Sequence, residues 1–121
     1  MYMVDVEHCT CHTVGEEDGA KGVVMQWLLD ARCGAENFAM RRFVIEPGGY
    51  TTRHSHPWEH EVYIIRGVGE VAHNDQVSGF APDTAVLIAP DEEHQFRNTG
   101  VEPLEFICLV PSGPATASLP E

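Results

Sequence analysis

The sequence predicts an all-β fold, a sandwich or a closed barrel built as one domain. Three observations carry that expectation. Short apolar runs recur at roughly 8–12-residue spacing, turn residues separate them, and helical periodicity is weak throughout. A chain of 121 residues with 43% hydrophobic side chains suits one domain and can bury a core without disulfide staples.

Residues 1–20 form a polar leading segment with five acids, no Lys or Arg, and the run His8-Cys9-Thr10-Cys11-His12. Those soft donors could hold Zn or Cu(I), although their spacing fits no standard zinc module; incidental thiols are the alternative. Val23–Leu29 comes next, as a strand or a short helix, with Trp27 apolar enough to pack across an interface. Phe38–Ile45 ends at Pro47-Gly48-Gly49. Val62–Ile65 ends at Gly67. Glu70–His73 and Val77–Phe80 flank Asn74-Asp75, the mark of a hairpin. Ala85–Ala89 lies between Pro82-Asp83 and Pro90-Asp91, and Gln95–Arg97 precedes Asn98-Thr99-Gly100. Leu104–Val110 is the last run. The barrel is therefore expected over residues 21–111, with a loose Pro-rich tail over 112–121.

Nineteen acids against seven Lys and Arg give a net charge of −12. Such a surface is a poor partner for a nucleic-acid backbone or an anionic membrane. No apolar run approaches the 18 or so residues of a spanning helix, and the first residues lack the features of a secretory signal. The expectation is a cytoplasmic protein with Cys9, Cys11, Cys33 and Cys108 as reduced thiols.

The chemistry concentrates in Arg53-His54-Ser55-His56-Pro57-Trp58-Glu59-His60-Glu61. Alternate side chains of an extended segment share a face, so His54 and His56 point the same way. Pro57 marks a bend. His60 heads the next strand, where a hairpin can return its ring towards the first two. His94 opens a later strand. Three or four converging imidazoles make a first-row transition-metal site. His73, beside the Asn74-Asp75 turn, is read as a surface or hydrogen-bonded residue.

In these residues the sequence resembles the cupin family. The first cupin motif runs Gly, five residues, His-x-His, three or four residues, Glu, six residues, Gly. Gly48, His54-Ser55-His56 and Gly67 follow it. The second motif is matched by Pro90, His94 and Asn98, while Thr84 and Glu92 stand where the family has glycine. The resemblance implies a single-domain cupin, a double-stranded β-helix or jelly-roll barrel. The usual ligands are three His and one Glu. Counting back from Gly67 lands on His60, whereas Glu61 fits only the looser spacing from His56. His60 is the expected ligand and Glu61 the alternative, which would serve as a general base if it faced inward.

The sequence is then similar to small four-histidine cupins, with ligands His54, His56, His60 and His94. That similarity favours manganese, with Fe, Cu, Ni or Zn as other candidates. Four neutral imidazoles leave a divalent ion its full charge, and an octahedral site keeps two adjacent positions open. Arg41 shares a face with Phe43 and Ile45, where it would clamp an anion; otherwise it faces solvent and pairs with an acid. By resemblance, Phe106 and Cys108 line the pocket, with Cys108 prone to oxidation there or simply buried. Tyr63 and Trp58 gate the site or pack. Glu59, Glu61 and backbone carbonyls are candidate acceptors for the second ring N–H of each ligand.

The expected function is dioxygen-dependent oxidation of a small oxygen-rich or carbonyl substrate, with Arg41, Glu61 and Cys108 as candidate catalytic residues. A decarboxylase, an isomerase or a non-catalytic metal- or metabolite-binding module are the alternatives. A homodimer is expected from the family's habit of pairing through edge strands.

Overall fold

The computed structural model describes residues 1–113, so most of the expected tail lies outside the described residues. Nine strands follow one another: β1 (His12–Thr13), β2 (Lys21–Leu29), β3 (Phe38–Tyr50), β4 (His60–Arg66), β5 (Gly69–His73), β6 (Gln76–Phe80), β7 (Ala85–Ile88), β8 (His94–Asn98) and β9 (Leu104–Pro111). Three one-turn 3-10 segments are the helical elements among the described residues. None is long and apolar enough to cross a membrane.

All strand pairs are antiparallel, in the order β6-β5-β8-β3-β9-β4-β7, with β2 on β3 and β1 on β2. The sheet curls into a barrel around an apolar core. Period-two alternation builds that core directly. On β9, Leu104, Phe106, Cys108 and Val110 point inward and are all buried. On β4 the inward set is His60, Val62 and Ile64.

The sequence leaves Val23–Leu29 open between strand and helix, and the structure makes it a strand. It pairs with β3 from Lys21 to Leu29, and Val23 and Trp27 are buried in the chain's own core. Its apolar character therefore needs no second chain. Pro47-Gly48-Gly49 reads as a break, but β3 runs through it. The extra residues form a bulge, seen as a register shift between Lys21 and Val23, and Gly48 takes φ 82°.

Gly67 explains itself sterically. Its φ is 88°, and a Cβ there would lie 2.7 Å from the Pro103 carbonyl oxygen. The two absent glycines have a counterpart reason: neither Thr84 nor Glu92 has positive φ. The left-handed residue of the second turn is Asp91, at φ 64°, a residue type that tolerates that region. Asn98 is a structural staple. Its Nδ2 donates to the carbonyls of Ile45 and Glu102, both at 2.8 Å, and its Oδ1 accepts from Gly100 N–H at 2.9 Å.

The polar leading segment lies along β2. Gln26 Nε2 donates to the carbonyls of Val6 at 2.9 Å and Cys9 at 3.0 Å. The four cysteines are free thiols.

Candidate metal centre

The loop after β3 carries His54 and His56, and β8, which His94 opens, fixes that loop. Thr51 N–H donates to the Phe96 carbonyl at 2.9 Å, and Thr51 Oγ1 accepts from Phe96 N–H at 2.9 Å. His54 and His94 then exchange backbone hydrogen bonds of 3.2 and 2.9 Å, forming an isolated bridge. Asp91 N–H holds the His56 carbonyl. Residues far apart in the chain are thus locked in register before any side chain is considered.

The side chains converge inside the barrel. The ligand nitrogens of His54, His56 and His94 all lie within 4.8 Å of one another. Ring centroids are 4.3 Å apart for His54 and His56, and 4.8 Å for His54 and His94. His94 Nδ1 lies 2.9 Å from the Glu92 carbonyl oxygen, which places its proton on Nδ1 and leaves Nε2 free to ligate. His8-Cys9-Thr10-Cys11-His12 forms no comparable group among the described residues. His73 also stands apart, with Nε2 2.8 Å from Ser78 Oγ and Nδ1 4.0 Å from Glu92 Oε2.

His60 adjoins the three. It is buried, its ring stacks on His56 at 4.9 Å, and it sits 5.0 Å from His94. Its Nε2 accepts a hydrogen bond from Trp58 Nε1–H at 3.1 Å, and Cys108 Sγ lies 3.7 Å from its Nδ1. The sequence places Trp58 as a gate or a packing residue. Its ring does stack on His56, at 4.7 Å, but its contact with His60 needs the folded chain to be seen.

The cluster is electrostatically prepared to stay neutral. Burial chiefly lowers the His54 pKa to about 4, with His56, His94 and Arg41 adding in the same direction. Burial and the Arg41 charge, with the neighbouring imidazoles, lower His60 to about 3. His56 is lowered for the same reasons, burial first. Neutral imidazole is the form that ligates a divalent transition metal, and the lowered pKa values of His54 and His56 favour it. His54, His56 and His94 would hold it, and His60 could join once Trp58 releases Nε2.

Two site residues expected from the sequence are corrected. Glu61 does not enter the barrel. Since His60 faces inward, its neighbour faces out, and Glu61 lines an outer groove with Glu59 and Phe38. Tyr63 shares that outer face. It is 47% exposed, and its hydroxyl donates to Asp83 Oδ1 at 2.8 Å.

The cavity beside the histidines, about 70 Å³, is lined by Arg41, Phe43, Phe106 and Cys108, and also by Thr51, Val62 and Phe96. Phe96 follows His94 by two residues, so strand alternation alone could have found it. Phe43 stacks on Phe106 at 5.1 Å and 15°, and Phe96 sits 5.0 Å from Phe106. Burial pushes the Cys108 thiol pKa up, against the pull of Arg41. Arg41 is opposite Trp27 on β2 and Cys108 on β9. Its guanidinium carbon stands 5.4 Å from the Trp27 ring centroid and 5.0 Å from that of Phe43. One terminal nitrogen donates to Cys108 Sγ at 3.1 Å, and buried Nε has no hydrogen-bond partner.

Residues 41–110 match the family described as "Cupin domain". Over 71 residues, 59% of this chain, the sequence is 38% identical to a 1-methylthio-D-xylulose 5-phosphate methylsulfurylase of Rhodospirillum rubrum, covering 46% of that protein. The matches span about half the length of the curated relatives. The polyketide cyclase RemF from Streptomyces resistomycificus superposes with TM-score 0.85 and 29% identity, over 93% of this chain and 80% of that one. A predicted oxalate decarboxylase from Thermotoga maritima superposes with TM-score 0.80 and 26% identity, over 91% of this chain and 98% of that one.

Proposed function

The chain belongs to the cupin domain family, and on that premise we propose that it is a metal-dependent enzyme acting on a small carbonyl or carboxylate compound at the histidine cluster. The observation that carries this reading is the convergence of the His54, His56 and His94 nitrogens within 4.8 Å, at a cavity walled by aromatic rings. A site with room beside its ligands is what catalysis requires, whereas a structural centre closes all its positions.

A divalent ion held there supplies Lewis acidity, the chemistry that stabilises an enolate or a developing carboxylate charge. The protein's part is positioning. Phe43, Phe96 and Phe106 exclude water, and Arg41 contributes fixed positive charge. His60, between Trp58 and Cys108, lines the same cavity as a neutral ring, and Glu61 faces away.

We favour carbonyl chemistry without oxygen, namely isomerisation, cyclisation or decarboxylation, over the dioxygenase expected from sequence. The similarity to a polyketide cyclase and to a predicted oxalate decarboxylase supports that choice. Manganese and zinc suit this chemistry equally.

The test is hydrogen–deuterium exchange at the carbon next to a carbonyl, followed by nuclear magnetic resonance. Zinc-loaded protein and small 1,3-diketones or 2-oxo acids are used under argon. Exchange well above that of a His54→Ala/His56→Ala variant is expected. No exchange under argon, with substrate consumed once oxygen is admitted, would restore the oxidative reading. Ligand binding with neither outcome would make the chain a binding module.

A further inference from the structure

We propose that Arg41 anchors the anionic head of the substrate, a planar, delocalised carboxylate or enolate held between the histidine cluster and the Arg41 guanidinium. This rests on the metal-enzyme reading above and names the class of molecule it would take.

The first argument is charge. Arg32 pairs with Asp30, Arg42 with Glu105, and Arg53 with Glu93. Arg41 makes no ion pair among the described residues, although acids outnumber bases nineteen to seven. Its guanidinium cannot shed its proton to escape burial. The acids nearest the cluster in sequence are placed elsewhere: Glu59 and Glu61 line the outer groove, Glu93 pairs with Arg53, and Glu92 Oε2 lies 4.0 Å from His73 Nδ1. A divalent ion on neutral imidazoles adds two further positive charges to the same cavity. Nothing among the described residues balances them, so an anion from outside is the missing partner.

The second argument is direction. Cross-strand pairing with Trp27 and Cys108 fixes the guanidinium plane over two aromatic faces. Contact with Cys108 Sγ occupies one terminal nitrogen, and Nε is left as a buried donor without an acceptor. A buried donor normally has a partner. Arg41 lines the same cavity as His54, His60 and His94, so a ligand on the histidines is within its field.

The third argument is shape. The cavity of about 70 Å³ has room for only a few water-sized groups, the smallest cavity that holds one water being roughly 10–15 Å³. That is the head group of a ligand, with any longer chain leaving through the mouth. Phe43 and Phe106, stacked within 15° of parallel, line the cavity with Phe96 as an apolar wall. A phosphate is tetrahedral and wants several donors. A planar carboxylate or enolate can use one N–H together with the histidine-bound ion.

The test uses zinc-loaded protein and two probes measured by calorimetry: oxalate as the planar anion, and imidazole as a neutral ligand of the ion. Wild type is compared with Arg41→Met and Arg41→Lys, with zinc content and circular dichroism measured on each. Arg41→Met is expected to weaken oxalate about 30-fold or more while imidazole stays within about threefold. Arg41→Lys, which keeps the charge but loses Nε, is expected to lose about tenfold, and it decides the matter if Arg41→Met does not fold. Oxalate affinity unchanged within about threefold in zinc-loaded variants overturns the anchor. Wild type that binds imidazole but not oxalate also overturns it, with the metal reading intact. Wild type that binds neither overturns both.

Discussion

Acidification of the metal-free protein is the sharpest probe of the histidine cluster. An unfolded histidine titrates near pH 6.5, whereas burial and positive neighbours lower His54 to about 4 and His60 to about 3 in the fold. Their contribution to stability is fully present above pH 6.5. It is lost progressively as the pH falls, because the unfolded chain takes up protons that the folded chain refuses, and it levels off below the folded values. Between pH 8 and pH 5 each group costs about 2 kcal/mol. The pair costs up to about 4 kcal/mol, since part of the effect is mutual and shared. That is a large fraction of the roughly 5–15 kcal/mol that holds a domain together. The assay is urea unfolding of chelator-treated protein at pH 8 and pH 5, in parallel with a His54→Asn/His60→Asn variant. With a urea dependence of about 2 kcal/mol per molar, the wild-type midpoint should drop by up to about 2 M, and the variant's by much less. Zinc at 100 times its dissociation constant should add about 2.7 kcal/mol at pH 8. Equal pH sensitivity in wild type and variant would refute the claim that these rings are held neutral by their surroundings.

Two further outcomes follow from the packing. Phe106→Ala should destabilise the fold by about 3–5 kcal/mol in the same urea assay, because a 2% exposed ring leaves Phe43 and Phe96 facing a void. Glu61→Gln should leave zinc stoichiometry and deuterium exchange within about twofold of wild type, since its side chain lies outside the barrel; a tenfold loss in either would place it back in the site.

Much of the architecture was legible from local pattern. Alternation on Leu104–Val110 puts Phe106 and Cys108 on one face of a strand, which is the buried face, and the Asn74-Asp75 hairpin appears where the dipeptide marks it. The His-x-His pair was legible because two residues is the repeat of an extended chain. Other features are not local. Val23–Leu29 is too short for periodicity to separate strand from helix, and its pairing with β3 decided it. Pro47-Gly48-Gly49 has the composition of a break, yet partners on both sides kept β3 continuous through a bulge.

At the site the division is the same. Sequence alone determined the donor chemistry: imidazoles at 54, 56, 60 and 94, an arginine on an apolar strand, and no carboxylate that spacing could place among them without ambiguity. The count back from Gly67 chose His60 over Glu61, and because neighbouring residues face opposite sides of a strand only one of the two could be inside. The barrel put His60 there. Tertiary structure also decided that Trp58 reaches His60 Nε2 and that Arg41 lies among Trp27, Phe43 and Cys108 without an acid. Such contacts join strands distant in the chain. Composition and spacing encode what each strand can offer, and only the closure of the sheet decides what it meets.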